Sequence, residues 1–301
     1  MELLRKRGQT QQWQLHAMIF PGVALLILFS YLPLYGILIA FKDFAPVKGI
    51  WASDWAGLKY FNYMIELPDV WNVTKNTIVI AGLKIVLGFP VPILFALLLN
   101  EVRRSWFKRG VQTIVYLPHF LSWVILAGLI LDVFSLNGLI NSTLRSFGFE
   151  PIYFLGDNRT FPWVMVFTDI WKGFGWGTVI YLAALTGIDP ALYESAVIDG
   201  ANRWKQTLHI TIPGLMPIIL LTAVLNLGNI LNAGFEQIFN LYNPLVMDSG
   251  DILDTYVFRV AFEDTNWSLS TMVGLVKSVV NTLLIVLGYY LAYKWTKYRI
   301  F

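Results

Sequence analysis

Residues 77–99 read TIVIAGLKIVLGFPVPILFALLL, an apolar run with a single charged side chain, Lys84. A helix needs about 20 mostly apolar residues to cross the hydrocarbon core of a membrane. The run also contains glycine and proline, which membrane helices tolerate better than soluble ones. It therefore predicts a helix that spans a membrane.

Five further runs of the same kind occur along the chain, at residues 17–41, 112–134, 163–185, 214–235 and 272–293. Each is long enough to span a bilayer as a helix. The sequence therefore predicts an all-α, polytopic membrane protein with six transmembrane helices.

The overall composition agrees with this fold class. Hydrophobic residues make up 56% of the chain, charged residues 14%, and the mean hydropathy is +0.60. A soluble domain carries about 25% charged residues, so neither a soluble globule nor a disordered chain is expected. The net charge of +3 does not indicate nucleic-acid binding, and the absence of cysteine excludes thiolate metal sites.

Basic residues indicate the orientation of the spans, because lysine and arginine concentrate in cytoplasmic loops. Basic clusters occur at residues 5–7, 103–109, 203–205 and 294–299. We therefore expect both termini to be cytoplasmic, with a cytoplasmic segment over 1–16 and the six-helix membrane domain over 17–301. External loops are expected at about 42–76, 135–162 and 236–271; their aromatic residues suit either a membrane interface or an external partner.

The stretch GIDPALYESAVIDGANRWKQTLHITIPG, residues 187–214, is too polar to span a membrane. Asp189 is a good N-cap and Pro190 suits the first helical position, so a short helix should begin here. Gly200 can supply the left-handed residue that ends it. A second short helix is expected over 203–208, and Pro213 is expected to begin the fifth span.

The same stretch contains Glu194-Ser195-Ala196, Gly200 after three residues, and Ile210-Thr-Ile-Pro213 after nine more. This pattern resembles the EAA loop of bacterial ABC importer permeases, with Ser195 and Ile212 as conservative departures. YLPLYG at 31–36, DIWKG at 169–173 and FEQIF at 235–239 extend the resemblance to the carbohydrate-uptake group. Within that group the chain looks most like lipoprotein-type, rhamnogalacturonan and alginate-importer permeases.

The resemblance implies a type I ABC importer permease in the bacterial cytoplasmic (inner) membrane. It implies a machine with a second homologous permease, two ABC ATPase subunits and an extracytoplasmic solute-binding protein that delivers an oligosaccharide. Because the sequence has no G-x-x-x-x-G-K-[ST] loop, we expect ATP and Mg to bind only in the ATPase partners, with no cofactor and no enzymatic activity in this chain. The EAA loop would dock on an ATPase through Glu194, Ser195, Ala196, Asp199, Gly200, Ile210 and Pro213.

Polar and aromatic residues within the predicted spans are candidates for a translocation pathway, because sugars are held by aromatic faces and hydrogen-bonding side chains. The asparagines of the fifth span recur every three residues, which suits either a cavity wall or interhelical hydrogen bonds. The candidates are Asp169, Trp171, Lys172, Trp176, Asn226, Asn229, Lys277 and Asn281.

Ionisable side chains in a span are costly unless paired or placed against water. Asp169 and Lys172 are three residues apart on one helix and are expected either to pair with each other or to serve the pathway. Lys84 is expected to extend outward along its helix. Lys277 is expected to face an anionic sugar or to form an ion pair inside the bundle.

Two other functions remain open from the sequence. An ion-coupled secondary transporter would need no ATPase, but it commonly shows inverted repeats, and no clear repeat is visible between the two halves. A membrane-embedded enzyme is disfavoured because the three histidines are scattered and form no recognisable catalytic set.

Overall fold

The computed structural model is predominantly helical, which confirms the predicted all-α class. It describes the backbone of residues 2–296 and the side chains of residues 13, 15–290 and 294. The side chains of the basic cluster at 5–7, and Lys297 and Arg299 at the other terminus, lie outside this described part. One antiparallel ribbon of two short strands pairs Lys42 with Trp55 and Asp43 with Asp54.

The first half of the described chain consists of helices of unequal length joined by short turns. Its elements are α-helix Glu2–Leu26, π-helix Ile27–Tyr31, 3-10 helix Leu32–Phe41, strand Lys42–Asp43, helix Gly49–Ala52, strand Asp54–Trp55, and α-helices Lys59–Glu66, Pro68–Gly88, Pro90–Asn100, Ser105–Phe120, Trp123–Phe134 and Leu139–Ser146.

The second half begins with a long helix, continues through the 187–214 stretch, and ends with another long helix. Its elements are α-helices Phe161–Leu185, Pro190–Ile198 and Arg203–Gln206, π-helix Thr207–Thr211, α-helices Ile212–Leu227 and Phe235–Leu241, 3-10 helix Pro244–Val246, and α-helices Met247–Gly250, Leu253–Phe262 and Trp267–Thr296.

Among the described residues, five helical segments are long and apolar enough to cross a membrane: Leu15–Phe41, Pro68–Asn100, Trp123–Ser146, Arg203–Leu227 and Trp267–Tyr290. Helix Phe161–Leu185 is 25 residues long but is not one of these five. It carries both Asp169 and Lys172, which lower its hydropathy. The chain is therefore multi-pass, and the count of six spans stays a prediction.

Two of these segments accommodate a proline in the same way, with a π-turn just before it. A proline in a helix lacks an N–H, and its ring clashes with the carbonyl four residues earlier. Pro33 follows a π-turn in which the amide of Leu32 donates to Ile27 O. Pro213 follows one in which the amide of Ile212 donates to Thr207 O. The extra residue of each π-turn lets the helix continue, so Pro213 does not begin a new helix as the sequence predicts.

Two predicted spans are interrupted in the structure. The run 112–134 was expected to be one helix, but helix Ser105–Phe120 ends after Pro118 and a new helix begins at Trp123 with Ser122 as its N-cap. The run 214–235 was also expected to be continuous, but helix Ile212–Leu227 ends before a non-helical segment at 228–234. The asparagines at 226, 229 and 232 therefore do not lie on one helical face.

The helices pack around three apolar clusters. The first contains Ile80, Leu126, Phe161, Met165 and Ile238, the second contains Tyr256 and Met272, and the third contains Tyr181 and Leu215. A Cβ at Gly175 would lie 2.3 Å from Val115 O. Glycine is therefore required where helix Phe161–Leu185 approaches helix Ser105–Phe120.

Candidate functional site

A cavity of about 500 Å³ lies between helices Pro68–Gly88, Pro90–Asn100 and Phe161–Leu185 and the segment from Thr222 to Gly234. The interruption at 228–234 forms part of its wall. The lining side chains that can bind a polar ligand are Lys84, Asp169, Tyr181, Thr222, Asn226, Asn229 and Asn232. Phe89 and Phe174 add aromatic surface.

Lys84 connects three parts of this wall. Its ammonium donates to Ala233 O at 2.7 Å and to Gln237 Oε1, and it lies 3.3 Å from Asp169 Oδ1. Ala233 belongs to the non-helical segment, so its carbonyl has no helical partner there. The carbonyl of Ala233 needs a hydrogen-bond donor because it lies within the membrane domain. Lys84 supplies the donor that a continuous helix would otherwise have provided.

Gln237 continues the network into the protein. Its side chain is fully buried, and its Nε2 donates to Met165 O at 2.8 Å and to Thr168 Oγ1 at 2.7 Å. Gly234, at φ +93°, precedes it, and a Cβ there would lie 3.0 Å from the ammonium of Lys84. Glycine therefore permits both the left-handed backbone and the close approach of the lysine.

The geometry corrects two predictions about charges in the spans. Lys84 does not extend outward along its helix, because its side chain is only 9% exposed and its ammonium is held by the contacts above. Asp169 pairs with Lys84 and not with Lys172. The ammonium of Lys172 instead donates to Leu121 O at 2.6 Å and lies 4.6 Å from the centre of the Trp123 ring.

Lys172 and Lys84 therefore have the same local role. Leu121 lies at the break between helices Ser105–Phe120 and Trp123–Phe134, so its carbonyl also lacks a continuing helix. Each lysine reaches from a neighbouring helix to a carbonyl freed by an interrupted one. A backbone carbonyl that has no hydrogen-bond donor in the hydrocarbon core destabilises the protein by about several kcal/mol.

The other predicted pathway residues lie away from this cavity. Trp171 is exposed, and Trp176 stacks on His119 with ring centres 4.9 Å apart. Lys277 forms an ion pair with Asp254, a residue of the predicted external loop 236–271. Asn281 has a buried Oδ1 with no hydrogen-bond partner among the described residues. Of the eight candidates, Asp169, Asn226 and Asn229 line the cavity.

A second ionic network joins the segment after residue 244 to helix Pro68–Gly88. The buried carboxylate of Asp251 accepts from Arg259 Nη2 at 2.6 Å and from Thr255 Oγ1 at 2.7 Å. Asn76 donates to the carbonyl of Asp251 at 3.1 Å, and Thr77 Oγ1 accepts from the amide of Leu253 at 2.8 Å. Burial raises the pKa of the nearby Tyr256 to about 12, so its phenol stays neutral. The part of the predicted external loop 236–271 that contains these residues is thereby fixed to helix Pro68–Gly88.

At the other end of the bundle, the 187–214 stretch folds locally as its sequence predicts. Asp189 Oδ1 accepts from the amide of Ala191 at 2.9 Å, and helix Pro190–Ile198 follows. Gly200 is left-handed, with φ +75°. Leu192, Val197 and Ile198 are 51%, 62% and 86% exposed, so the helix presents apolar side chains that nothing else in the described chain covers.

The predicted EAA residues lie on and beyond this helix. Glu194, Ser195 and Asp199 are exposed, and Ala196 is half-buried. Gly200 ends the helix, Ile210 lies in the π-turn at 207–211, and Pro213 follows that turn. The second short helix begins at Arg203, as expected, but continues through the π-turn into helix Ile212–Leu227 without a break. The loop is therefore directly continuous with a long apolar helix.

Three contacts hold helix Pro190–Ile198 and the residues around it against the start of helix Ile212–Leu227 and against Glu101. The hydroxyls of Tyr193 and Thr211 lie 3.0 Å apart, and Arg203 Nη1 lies 3.8 Å from Glu101 Oε2. Ile188 packs so closely against Gly214 that a Cβ on the glycine would lie 2.8 Å from Ile188 Cδ1. A displacement of helix Pro190–Ile198 would therefore be felt at the start of helix Ile212–Leu227.

Sequence reasoning missed Gln237 and the contacts of Tyr181, whose hydroxyl lies 2.8 Å from Thr222 Oγ1. Gln237 had a usable signal, because it is a polar residue three positions after the glycine- and asparagine-containing segment 228–234. Such a stretch predicts a helix break. Tyr181 and Thr222 had none, because they lie 41 residues apart.

Comparison with protein families gives one match. The model of the family described as binding-protein-dependent transport system inner membrane component matches residues 88–297. Protein LplB of Bacillus subtilis (strain 168) is 41% identical over 288 residues, which cover 95% of this chain and 91% of the relative. The polygalacturonan/rhamnogalacturonan transport system permease protein YteP of the same organism is 43% identical over 286 residues, covering 95% and 89%.

The chain is also similar to solved structures. One is a bacterial ABC transporter involved in the import of the acidic polysaccharide alginate; its matching chain has a TM-score of 0.89 and 35% identity, with 98% of this chain and 100% of that chain covered. The other is a bacterial alginate ABC transporter in complex with an alginate pentasaccharide-bound periplasmic protein. Its TM-score is 0.88 at 35% identity, with coverage of 97% and 98%.

Proposed function

Because the chain belongs to the family of binding-protein-dependent transport system inner membrane components, we propose that it is the permease subunit of an ATP-driven importer that takes up an oligosaccharide. Family membership confirms the predicted class, a multi-pass inner-membrane transport component of type I ABC permease architecture. The sugar is a proposal for this chain, and it is supported by the saccharides named for one relative and for one solved structure that match nearly its whole length.

The proposed partners are those of the sequence-based prediction: a second homologous permease, two ABC ATPase subunits and an extracytoplasmic solute-binding protein. The related alginate transporter was solved in complex with a periplasmic protein that carries a pentasaccharide, which supports delivery by a binding protein. ATP and Mg would bind in the ATPase subunits, and this chain would supply the pathway and the docking loop.

The observation that carries the proposal is the exposed helix Pro190–Ile198. Its apolar side chains face away from the bundle, and Glu194 is exposed beside them. A short exposed helix with uncovered apolar side chains suits a groove on another protein. We propose that the loop docks on an ATPase through Glu194, Ser195, Ala196, Asp199, Gly200, Ile210 and Pro213.

The cavity is the proposed pathway wall that this chain contributes. Asp169, Asn226 and Asn229 line it together with Asn232 and the Tyr181–Thr222 pair, so donors and acceptors face the same space. This arrangement suits sugar hydroxyls, which both donate and accept. Trp171, Lys172, Trp176, Lys277 and Asn281 do not line this cavity, and we leave them out of the proposed wall.

The test is ATP-driven uptake by the complete importer in lipid vesicles, with and without Glu194→Lys. Because Glu194 is exposed, its reversal should leave the fold intact while it opposes docking. We expect uptake to fall by about tenfold or more, which corresponds to the loss of about 1.4 kcal/mol of docking free energy. Purified ATPase should also bind the variant more weakly.

Glu150→Lys provides the matched control, because Glu150 is also exposed but lies on the predicted external side. Its uptake should equal that of the wild type. Uptake that needs no ATPase would contradict the proposal and support the ion-coupled transporter. Equal uptake by the Glu194→Lys variant would contradict the assigned role of the loop.

A further inference from the structure

The charges on the cavity wall are unequal in their exposure. Asp169 has a side chain that is 39% exposed, whereas that of Lys84 is 9% exposed. The ammonium is also held by two neutral oxygens, Ala233 O and Gln237 Oε1. The described wall has no other charged residue. A ligand in the cavity would therefore meet the carboxylate before it met the ammonium.

The remaining polar groups of the wall are uncharged. Asn226, Asn229 and Asn232 offer amides, each with two donors and an acceptor. Aromatic surface comes from Phe89 and Phe174, which can pack against the C–H face of a sugar ring. The carboxylate and the amides can form hydrogen bonds with sugar hydroxyls, and the aromatic rings can pack against the sugar ring. None of these groups neutralises the negative charge of an acidic sugar.

Four of the cations near the predicted external side are engaged in ion pairs. Arg259 is paired with Asp251 and Lys277 with Asp254, and both ion pairs are largely buried. Lys59 and Lys48 contact Asp43 and Asp54. These four cations are already compensated by carboxylates, so they offer little net attraction to an anionic saccharide that approaches the cavity.

We propose that the cavity wall formed by this chain binds an uncharged sugar unit and discriminates against a uronate unit, with Asp169 as the discriminating residue. The inference rests on the proposed importer function and names the substrate class of its pathway. Lys84 would serve the wall as a positioning residue that holds Asp169 and the 228–234 segment.

The chain contains no cysteine, so a single introduced cysteine can report the electrostatic potential of the cavity. Asn229 is exposed and lines the cavity, which makes Asn229→Cys the reporter. The assembled importer, with cysteine-free partners, is treated with an anionic sulfonatoethyl or an uncharged hydroxyethyl methanethiosulfonate. The rate of labelling by the anionic reagent is divided by the rate for the uncharged reagent. This ratio is then normalised by the same ratio for a free thiol in solution.

We expect the normalised ratio to lie below unity by about fivefold, the scale of one partly screened carboxylate on the same cavity wall. Asp169→Asn should bring the ratio above unity, because Lys84 then loses its compensating charge. Lys84→Met combined with Asp169→Asn should return it to about unity, and Asp169→Glu should keep the wild-type value. Asp132→Asn is the matched control, since that exposed residue does not line the cavity.

The same reporter measures saccharide binding. Tetragalacturonate and its fully methyl-esterified form share one skeleton and differ in the negative charges, which the ester replaces by small methyl ester groups. The ester should slow labelling at a concentration about fivefold lower than the acid requires, for the same electrostatic reason. A normalised ratio at or above unity, no response to Asp169→Asn, equal or better protection by the acid, or protection by neither would overturn the proposal. Because labelling needs neither ATP nor the binding protein, these results are independent of the uptake test of the importer function.

Discussion

The hydroxyl of Tyr193 lies 3.0 Å from the hydroxyl of Thr211 and joins the exposed loop helix to the π-turn below a long apolar helix. Thr211 is buried, whereas the helix that carries Tyr193 is mostly exposed. Gln206, also buried, donates to Ala201 O at 3.0 Å and steadies the turn between them. A movement of the loop helix would therefore be transmitted to the membrane domain through this contact.

Removal of this hydroxyl is expected to uncouple the loop from the helix. In Tyr193→Phe the aromatic ring is kept and one hydrogen bond is lost, at a cost of about 1 kcal/mol. ATPase binding should be unchanged, while the effect of ATP on the membrane domain should decrease by several-fold. The labelling rate of Asn229→Cys, with and without ATP and vanadate, measures that effect.

Thr207→Val is the matched control for this experiment. Thr207 Oγ1 donates to Arg203 O within its own helix, so its loss removes a hydrogen bond without touching the link. The control should respond to ATP as the wild type does. An equal response from Tyr193→Phe would show that the link transmits nothing.

Lys84 is expected to be a major contributor to stability. Lys84→Met removes the ammonium but leaves Asp169, Ala233 O and Gln237 Oε1 without their donor. A buried acceptor left without its donor costs about 1–3 kcal/mol, and the partly exposed carboxylate of Asp169 costs less because water can reach it. The thermal unfolding temperature of the purified protein in lipid nanodiscs should therefore fall. Lys75→Met, on the exposed face of the same helix, should leave it unchanged.

Substitution of Gly200 is expected to destabilise the loop only through backbone strain, without any steric clash. Its φ is +75°, and no atom lies within 4 Å of the position that a Cβ would take. Gly200→Ala should therefore cost about 1 kcal/mol from backbone strain and weaken ATPase binding by about fivefold. Gly110→Ala is the control: that glycine is within a helix and equally unobstructed, so alanine should be neutral or stabilising there. Equal ATPase affinity of both variants would contradict the requirement for a left-handed residue.

The ribbon at 42–55 is expected to loosen in acid. Hydrogen bonds from Lys59 at 2.6 Å and Tyr60 at 2.8 Å hold the pKa of Asp43 below its usual value. Because the folded pKa is depressed, this contribution to stability is complete above the unfolded value of about 4 and is lost as the pH falls through the folded one.

Amide hydrogen exchange of helix Lys59–Glu66, corrected for its intrinsic pH dependence, should therefore accelerate below about pH 4. Asp43→Asn should show the faster exchange already at neutral pH, with no further acid effect from this site. Asp54→Asn, which removes the exposed partner of Lys48, is the comparison and should behave as the wild type. Unchanged exchange in Asp43→Asn would show that the ion pair does not hold the helix.

Local features of the chain could be predicted because they depend on near neighbours in sequence. The apolar runs require helices in a membrane wherever they pack, and Asp189 and Gly200 define the ends of a short helix through their own backbone contacts. The spacing of Glu194, Gly200 and Pro213 identified the family in the same way. Each of these features is decided within about twenty residues of chain.

The partners of the charged residues and the positions of the helix breaks were decided only by the tertiary structure. Lys84 meets Ala233 O, and Lys172 meets Leu121 O, across separations of 149 and 51 residues. Sequence spacing favoured a pairing of Asp169 with Lys172 because the two share a helix. A largely buried ammonium instead donates to a carbonyl that a helix break leaves without a helical partner, because buried polar groups need hydrogen-bond partners. Which carbonyl that is depends on how the helices pack together.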